Sequence, residues 1–317
     1  MRKFLVMLFL LVLLVPMTVF SAGQQDGDKT TIVFGDNSWD SVQVHNRIAA
    51  FIIENGFEGY KADYMPGDTI PLFRGLVQGD VDVNMESWHS NIMEIYTKGI
   101  QSGDVVDLGQ NMPDAPQGWW VPRYLVEGPD AKAPNLKSIS DLPQYADLFA
   151  DPEDKSKGII YGGVAGWGQL EISEAFFKKY GLEETYNMGI VGSGSVLAAS
   201  MVGAYEKKEP WCGYYWAPTP ILGTLDMVRL KGSEFEPALV NILVNKSMLV
   251  KAPDVVEFLK AYATSVAVNN EFLAKMDAED WDAQQTAEWF LKNKEDVWTK
   301  WVSADVSEKV KAALASL

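Results

Sequence analysis

The stretch Gly158-Ile159-Ile160-Tyr161-Gly162-Gly163-Val164-Ala165-Gly166-Trp167-Gly168-Gln169 joins a β-branched run to a glycine-rich turn and then to a helix. That helix reads to Tyr180 and is stopped by Gly181. Strand, turn and helix in this order are the start of a crossover to a parallel strand, and they place backbone amides at a helix N-terminus, where anions are favoured. The same rhythm opens at Thr30. Thr31-Ile32-Val33-Phe34-Gly35 reads as a strand, Asp36 to Trp39 as a loop, and the following segment as a helix to about Asn55, ended by Gly56. On that helix Val44, Ile48, Phe51 and Ile52 share one face, which predicts packing on a sheet. A second helix starts at Thr69 with Pro71 in its first turn, and Val81 to Met85 follows as a strand. Further along, Ser195 to Tyr205 reads as a helix, Trp211 to Trp216 as a strand, and the chain beyond Val250 as mostly helical. The pattern predicts an α/β protein with mainly parallel sheets, divided into two lobes with a ligand cleft between them. Crossings between the lobes are expected near Leu125 and Leu239, giving residues 30–125 plus 239–317 as one lobe and 126–238 as the other.

Arg2 and Lys3 precede an apolar run from Phe4 to Val15, then Pro16 and the small residues around Ser21 and Gly23. This is the pattern of a cleaved secretory signal peptide over residues 1–23, and the run is shorter than the roughly 20 residues a membrane-spanning helix needs. No cysteine follows it to take a lipid, so a soluble, exported, periplasmic protein is expected. The 317 residues carry a net charge of −16, which argues against nucleic-acid partners. A single cysteine, Cys212, allows no internal disulfide and no thiolate metal cluster, and neither a metal nor another cofactor is expected. Gly192-Ser193-Gly194-Ser195 lacks the rest of a dinucleotide fingerprint. His45 falls on the polar side of its helix and reads as solvated, and His89 sits at a strand end beside Trp88. No nucleophile elbow accompanies either histidine, so a secreted hydrolase is the weaker alternative to a binding protein.

Eleven tryptophans are the unusual feature. Trp281, Trp289, Trp298 and Trp301 lie in the helical C-terminal part and read as packing residues. Trp39, Trp88, Trp119, Trp120, Trp167 and Trp216 instead fall at the ends of expected strands, where open α/β sheets bind ligands. Indoles converging there form an electron-rich box suited to a quaternary ammonium cation.

Several segments resemble motifs of the glycine betaine/proline betaine substrate-binding proteins of ABC transporters. They are Asn37-Ser38-Trp39-Asp40-Ser41, Gly79 through Trp88-His89, Val121-Pro122-Arg123-Tyr124, Gly166-Trp167-Gly168, Trp216-Ala217-Pro218, and Glu288-Trp289-Phe290 through Trp298. The resemblance runs in the same order along the mature chain. It implies a two-lobed periplasmic binding-protein fold of type II with two interlobe crossings. It also implies capture of a betaine-like solute for a membrane permease by a monomeric, non-enzymatic receptor. By the same resemblance Trp88, Trp167 and Trp216 form the cation cage and the backbone around Asn37 and Ser38 holds the carboxylate; Trp39 and Tyr215 are expected to add to the cage, and His89 and Thr219 to the carboxylate side. Strand alternation lets only one of Tyr214 and Tyr215 face the cleft. Thr219 stands where family members often have a histidine, which keeps choline, carnitine, proline betaine and sulfonium analogues open as ligands.

Overall fold

The computed structural model describes residues 29–317 apart from 114, 234 and 236–238. The expected signal peptide, residues 1–23, lies outside the described residues.

The chain first builds β1 (Thr30–Asn37), α1 (Asp40–Gly56), β2 (Tyr60–Gly67), α2 (Thr69–Gln78), β3 (Val83–Ser87), α3 (Met93–Ser102) and β4 (Val105–Met112). It then forms β5 (Gln117–Pro122), α4 (Arg123–Val126), β6 (Gly158–Val164), α5 (Gln169–Lys179), β7 (Tyr186–Val191), α6 (Gly194–Glu206), β8 (Gly213–Trp216), α7 (Pro220–Thr224) and β9 (Met227–Arg229). It ends with β10 (Val240–Asn245), α8 (Met248–Lys251), α9 (Pro253–Ala261), α10 (Val266–Glu279), α11 (Ala283–Asn293), α12 (Glu295–Trp298) and α13 (Ala304–Ala315).

Two five-stranded sheets result, in the orders β2-β1-β3-β10-β4 and β7-β6-β8-β5-β9. The chain therefore leaves the first sheet between Met112 and Gln117 and is back in it by Val240. The first crossing precedes the expected position near Leu125, because Gln117–Pro122 pairs with β8 on one side and β9 on the other, deep in the second sheet. The sheets are mixed rather than mainly parallel. β1 pairs parallel with β2 and β3, and β6 with β7 and β8, whereas β10 and β5 run antiparallel to their neighbours. A returning strand that crosses directly from the other lobe has no helix to turn it round, so it enters its sheet against the local direction.

Helix α1 is the spine of the first lobe. Its Val44, Ile48 and Ile52 are fully buried as expected, while Phe51 only flanks the core. His45 departs from the expectation of a solvated side chain. α1 is covered by the sheet and by α10, α11 and α13, so it has little polar face left, and His45 is buried between Tyr262 and Asn269. Trp298 and Trp301 pack in this core, whereas Trp119 is sealed in the core of the second lobe. Cys212 is buried there too, and burial pushes its thiol pKa up, leaving it unreactive.

Candidate functional site

β1 and β3 are parallel in one sheet and β6 and β8 in the other, so each pair ends on one edge of its sheet. Each of these four strands delivers a tryptophan at or just past its C-terminal end. Trp39 follows β1 as the extended N-cap of α1, and Trp88 follows β3 directly. Trp167 lies in the turn after β6, and Trp216 closes β8. The four indoles, with Tyr214, Thr69, Asn91, Gly168 and Gln169, border one space of about 310 Å³. All five rings are at least nine-tenths buried.

The rings are set edge to face. Trp167 meets Trp39 at 5.5 Å and 78°, and Trp216 at 5.1 Å and 79°. Tyr214 stacks on Trp216 at 6.0 Å and 21°. The negative quadrupole of a ring face attracts a cation, and five rings border this one space. Four of the five polar edges are tied back into the protein. The indole Nε1 of Trp39 and that of Trp88 both donate to Glu86 Oε1 at 2.9 Å. Trp167 Nε1 donates to Asp68 Oδ1 at 3.0 Å and to Ser38 Oγ at 3.3 Å. Tyr214 Oη donates to Gln117 Oε1 at 2.8 Å, and Gln117 exchanges amide hydrogen bonds with Asn91. Trp167 therefore belongs to the second lobe while its N–H is held by the first.

The turn carrying Trp167 needs its glycines. Gly166 has φ +89°, and its carbonyl accepts from Ile70 N at 3.2 Å across the cleft. A Cβ on Gly168 would come within 2.3 Å of Ile92 Cγ2 and 2.8 Å of the Asn91 carbonyl, so only glycine lets the turn seat against the first lobe.

Of the expected site residues, Trp39, Trp88, Trp167 and Trp216 come together. Tyr215 does not border that first space. β8 alternates, so the face that carries Trp216 into it carries Tyr214, and Tyr215, its ring 4.7 Å from that of Trp216, lines a second space of about 640 Å³ that Trp39 and Trp216 also border. Ser38 and Thr219 border that second space too, with Asp40 and Asp277. Thr219 Oγ1 is engaged as the N-cap of α7, accepting from Leu222 N and donating to the Trp216 carbonyl. Burial and the neighbouring Asp277 raise the pKa of Asp40. Asn37 is buried and both of its side-chain polar atoms lack a hydrogen-bond partner, but it borders neither space. His89 stacks on Tyr96 at 4.5 Å, away from the cage, and burial lowers its pKa.

Residues 30–293 match the family described as the substrate-binding domain of ABC-type glycine betaine transport systems (OpuAC). The chain belongs to this family. Over 192 residues it is 24% identical to the trimethylamine N-oxide-binding protein of Pelagibacter ubique, and the match spans 60% of each chain, so under two thirds of that relative's length is covered. In fold it resembles the glycine betaine/L-proline-binding protein of Borrelia burgdorferi, with TM-score 0.74 and 22% identity over 88% of this chain and 99% of that one. It also resembles an ABC-transporter choline-binding protein in complex with choline, with TM-score 0.77 and 19% identity over 90% and 98%. Both are two-lobed α/β binding proteins, and they establish the architecture. Members of this family are substrate-binding components of transport systems rather than enzymes. Among the described residues of this chain, no helix is long and apolar enough to cross a membrane, and no group of three or more His, Cys, Asp or Glu is placed to hold a metal ion.

Tyr214, Glu86, Asp68 and Gln117 are among the site residues that the sequence pattern leaves unassigned. Tyr214 was legible, because period-two alternation from Trp216 selects it. Glu86 stands two residues before Trp88 and shares its side of the strand by the same rule. Asp68 and Gln117 carry no local signal, since each meets its partner across about a hundred residues of chain.

Proposed function

We propose that this family member is an extracytoplasmic receptor. It captures a betaine-like quaternary ammonium solute, glycine betaine or proline betaine, and delivers it to an ABC permease. The observation that carries this reading is the single space bordered by Trp39, Trp88, Trp167, Tyr214 and Trp216, with rings from both lobes. A methylated ammonium cannot donate classical hydrogen bonds, so ring faces are the groups that recognise it, each contributing about 0.5 to 2 kcal/mol when desolvated. Because the rings come from two lobes, the solute stabilises their approach, which is the logic of hinge closure. A monomer in the periplasm, released from its signal peptide, fits this role. The carboxylate of a betaine would reach toward the second space, where Ser38 and Thr219 lie; Asn37 and His89 take no direct part in this reading.

One observation favours a second ligand. Asp40 and Asp277 border the second space, and Asp68 sits at the indole edge of Trp167. Carboxylates there oppose an anionic arm and suit the neutral hydroxyl of choline. A hydrolase reading finds no support in the geometry: His45 is locked between Tyr262 and Asn269, and His89 is stacked on Tyr96.

The test is a titration of intrinsic tryptophan fluorescence in the mature protein with glycine betaine, proline betaine, carnitine, choline and a sulfonium analogue, using glycine as control. A saturable change with a methylated cation and none with glycine is expected. Folded protein that responds to none of them refutes the cage.

A further inference from the structure

Glu86 is the second-last residue of β3, 1% exposed, and it stands behind the cage. Its Oε1 accepts three hydrogen bonds, from the indoles of Trp39 and Trp88 and from Ser41 Oγ at 3.0 Å. Its Oε2 is buried with no hydrogen-bond partner. Among the described residues no Lys, Arg or His pairs with it. A carboxylate in such a place is costly, and a glutamine would hold the same two indoles through its amide oxygen without that cost. Hydrogen bonding alone therefore does not account for an acid here.

We propose that Glu86 positions the cage and supplies its counter-charge: one oxygen fixes the rings of Trp39 and Trp88, and the negative charge behind those rings selects solutes that carry a permanent positive charge. This rests on the cage reading above and names what the cage selects. The mechanism is direct. A carboxylate accepting from an indole N–H pushes electron density into the ring, and it adds an attractive field across a ring's breadth of low-dielectric protein.

Tyr262 and His45, the titratable groups coupled to Glu86 from the neighbouring elements, are both neutral near pH 7. Tyr262, from the segment after α9, feels Glu86 and has its pKa raised well above the usual phenol value, so it stays neutral. His45 on α1, hydrogen-bonded to Tyr262, is lowered to about 4 and is neutral above that. From the segment after β3, His89 is lowered as well. Ser41 and Asn84, the other polar neighbours, do not titrate. Burial raises Glu86 itself to about 7, against the opposing pull of the Trp88, Ser41 and Trp39 hydrogen bonds. A cation entering the cage favours the ionised carboxylate, so binding releases a proton and affinity increases as pH rises through neutrality.

The experiment is isothermal titration calorimetry of the mature protein with choline and glycine betaine, and with 3,3-dimethylbutan-1-ol as the uncharged isostere of choline. It is run between about pH 6 and 8.5 in buffers of different ionisation enthalpy. The wild type is expected to release protons on binding either methylated cation and to gain about tenfold in affinity across that range. Glu86→Gln keeps an oxygen for both indoles; it is expected to lose the proton release and the pH dependence and to bind the cations at least tenfold more weakly. Its affinity for the uncharged isostere should be unchanged. Near-UV circular dichroism checks that the indoles of the variant keep their arrangement. Wild-type binding that is independent of pH without proton release, or a variant that binds the cations as well as the wild type, overturns the role of Glu86 and leaves the cage standing. Wild-type protein that binds neither cation overturns the cage and this proposal with it.

Discussion

Replacing Trp167 by phenylalanine keeps an aromatic face in the cage and removes one N–H. That N–H reaches Asp68 Oδ1 at 3.0 Å across the cleft. A hydrogen bond to a charged acceptor contributes about 1.5 to 3 kcal/mol. Ser38 Oγ still donates to the same oxygen at 2.8 Å and Asp68 is reached by water, so the lower end applies. A loss of about 1.5 kcal/mol, roughly tenfold in Kd, is expected for Trp167→Phe. Trp167→Ala also removes the cation-facing ring and the edge contacts with Trp39 and Trp216. These add about 2 kcal/mol, for a total above a hundredfold. Calorimetric titration with the solute identified by fluorescence measures both. Asp68→Ala should weaken binding about as much as Trp167→Phe, and the double variant Trp167→Phe/Asp68→Ala little more than either, because the two remove one interaction. Additive losses in that cycle, or an unchanged Kd in Trp167→Phe, would refute the bond as a link that holds the lobes together around the solute.

Tyr214→Ala and Tyr215→Ala each delete a buried ring of the same strand and should lower Tm similarly, yet only the first should weaken binding, by about 2 kcal/mol; equal losses of affinity would return Tyr215 to the cage. Gly168→Ala puts a methyl against Ile92 and the Asn91 carbonyl; affinity should fall at least tenfold with little change in Tm, and an unaffected Kd would show that the turn need not seat. His89→Gln should leave Kd within about twofold, since its ring faces Tyr96 rather than the cage. The buried pair His45 and Glu86 should cancel in stability against pH. Burial lowers His45 from 6.5 to about 4, so the unfolded chain takes up a proton the folded chain refuses, and stability falls as pH drops from 6.5 toward 4. Burial raises Glu86 from 4.5 to about 7, so the folded chain keeps a proton the unfolded one has lost, and stability falls as pH climbs from 4.5 toward 7. Glu86→Gln removes the opposing carboxyl slope, and urea denaturation should show stability rising from about pH 4 to 6.5 more steeply than in the wild type, by about 3 kcal/mol.

What the sequence revealed followed burial. β1, β6 and β8 are interior strands with apolar or aromatic runs, and they were readable, as were the glycine stops after α2 and α5. β2, β4 and β7 were not, because each lies at a sheet edge. β2 carries Lys61, Asp63 and Pro66 on a strand that alternates between half-buried and exposed, so it offers no hydrophobic run to recognise. His45 departs from the amphipathic pattern for a related reason. An amphipathic pattern assumes one wet face, and α1 has helices where that face would meet water. The cage tryptophans were legible because a bulky aromatic beside glycine or serine at a strand end has few structural reasons to be there. Their hydrogen-bond partners were not, with the exception of Glu86, since contacts between lobes are set by tertiary folding alone.

The bond from the Ile70 amide to the Gly166 carbonyl, and the seating of Gly168 on Asn91, join protein to protein across the cleft. They favour the shut receptor with or without cargo. The approach of the lobes therefore draws on these two glycines together with the Trp167 indole N–H held by Asp68 and the Asn91–Gln117 amide pair. Strengthening that contact would sharpen sensitivity at scarce solute, because less of the binding energy goes into shutting the jaws. Gly166 and Gly168 thus bear on how closely the lobes meet, and Gly168 also borders the ring-lined space itself.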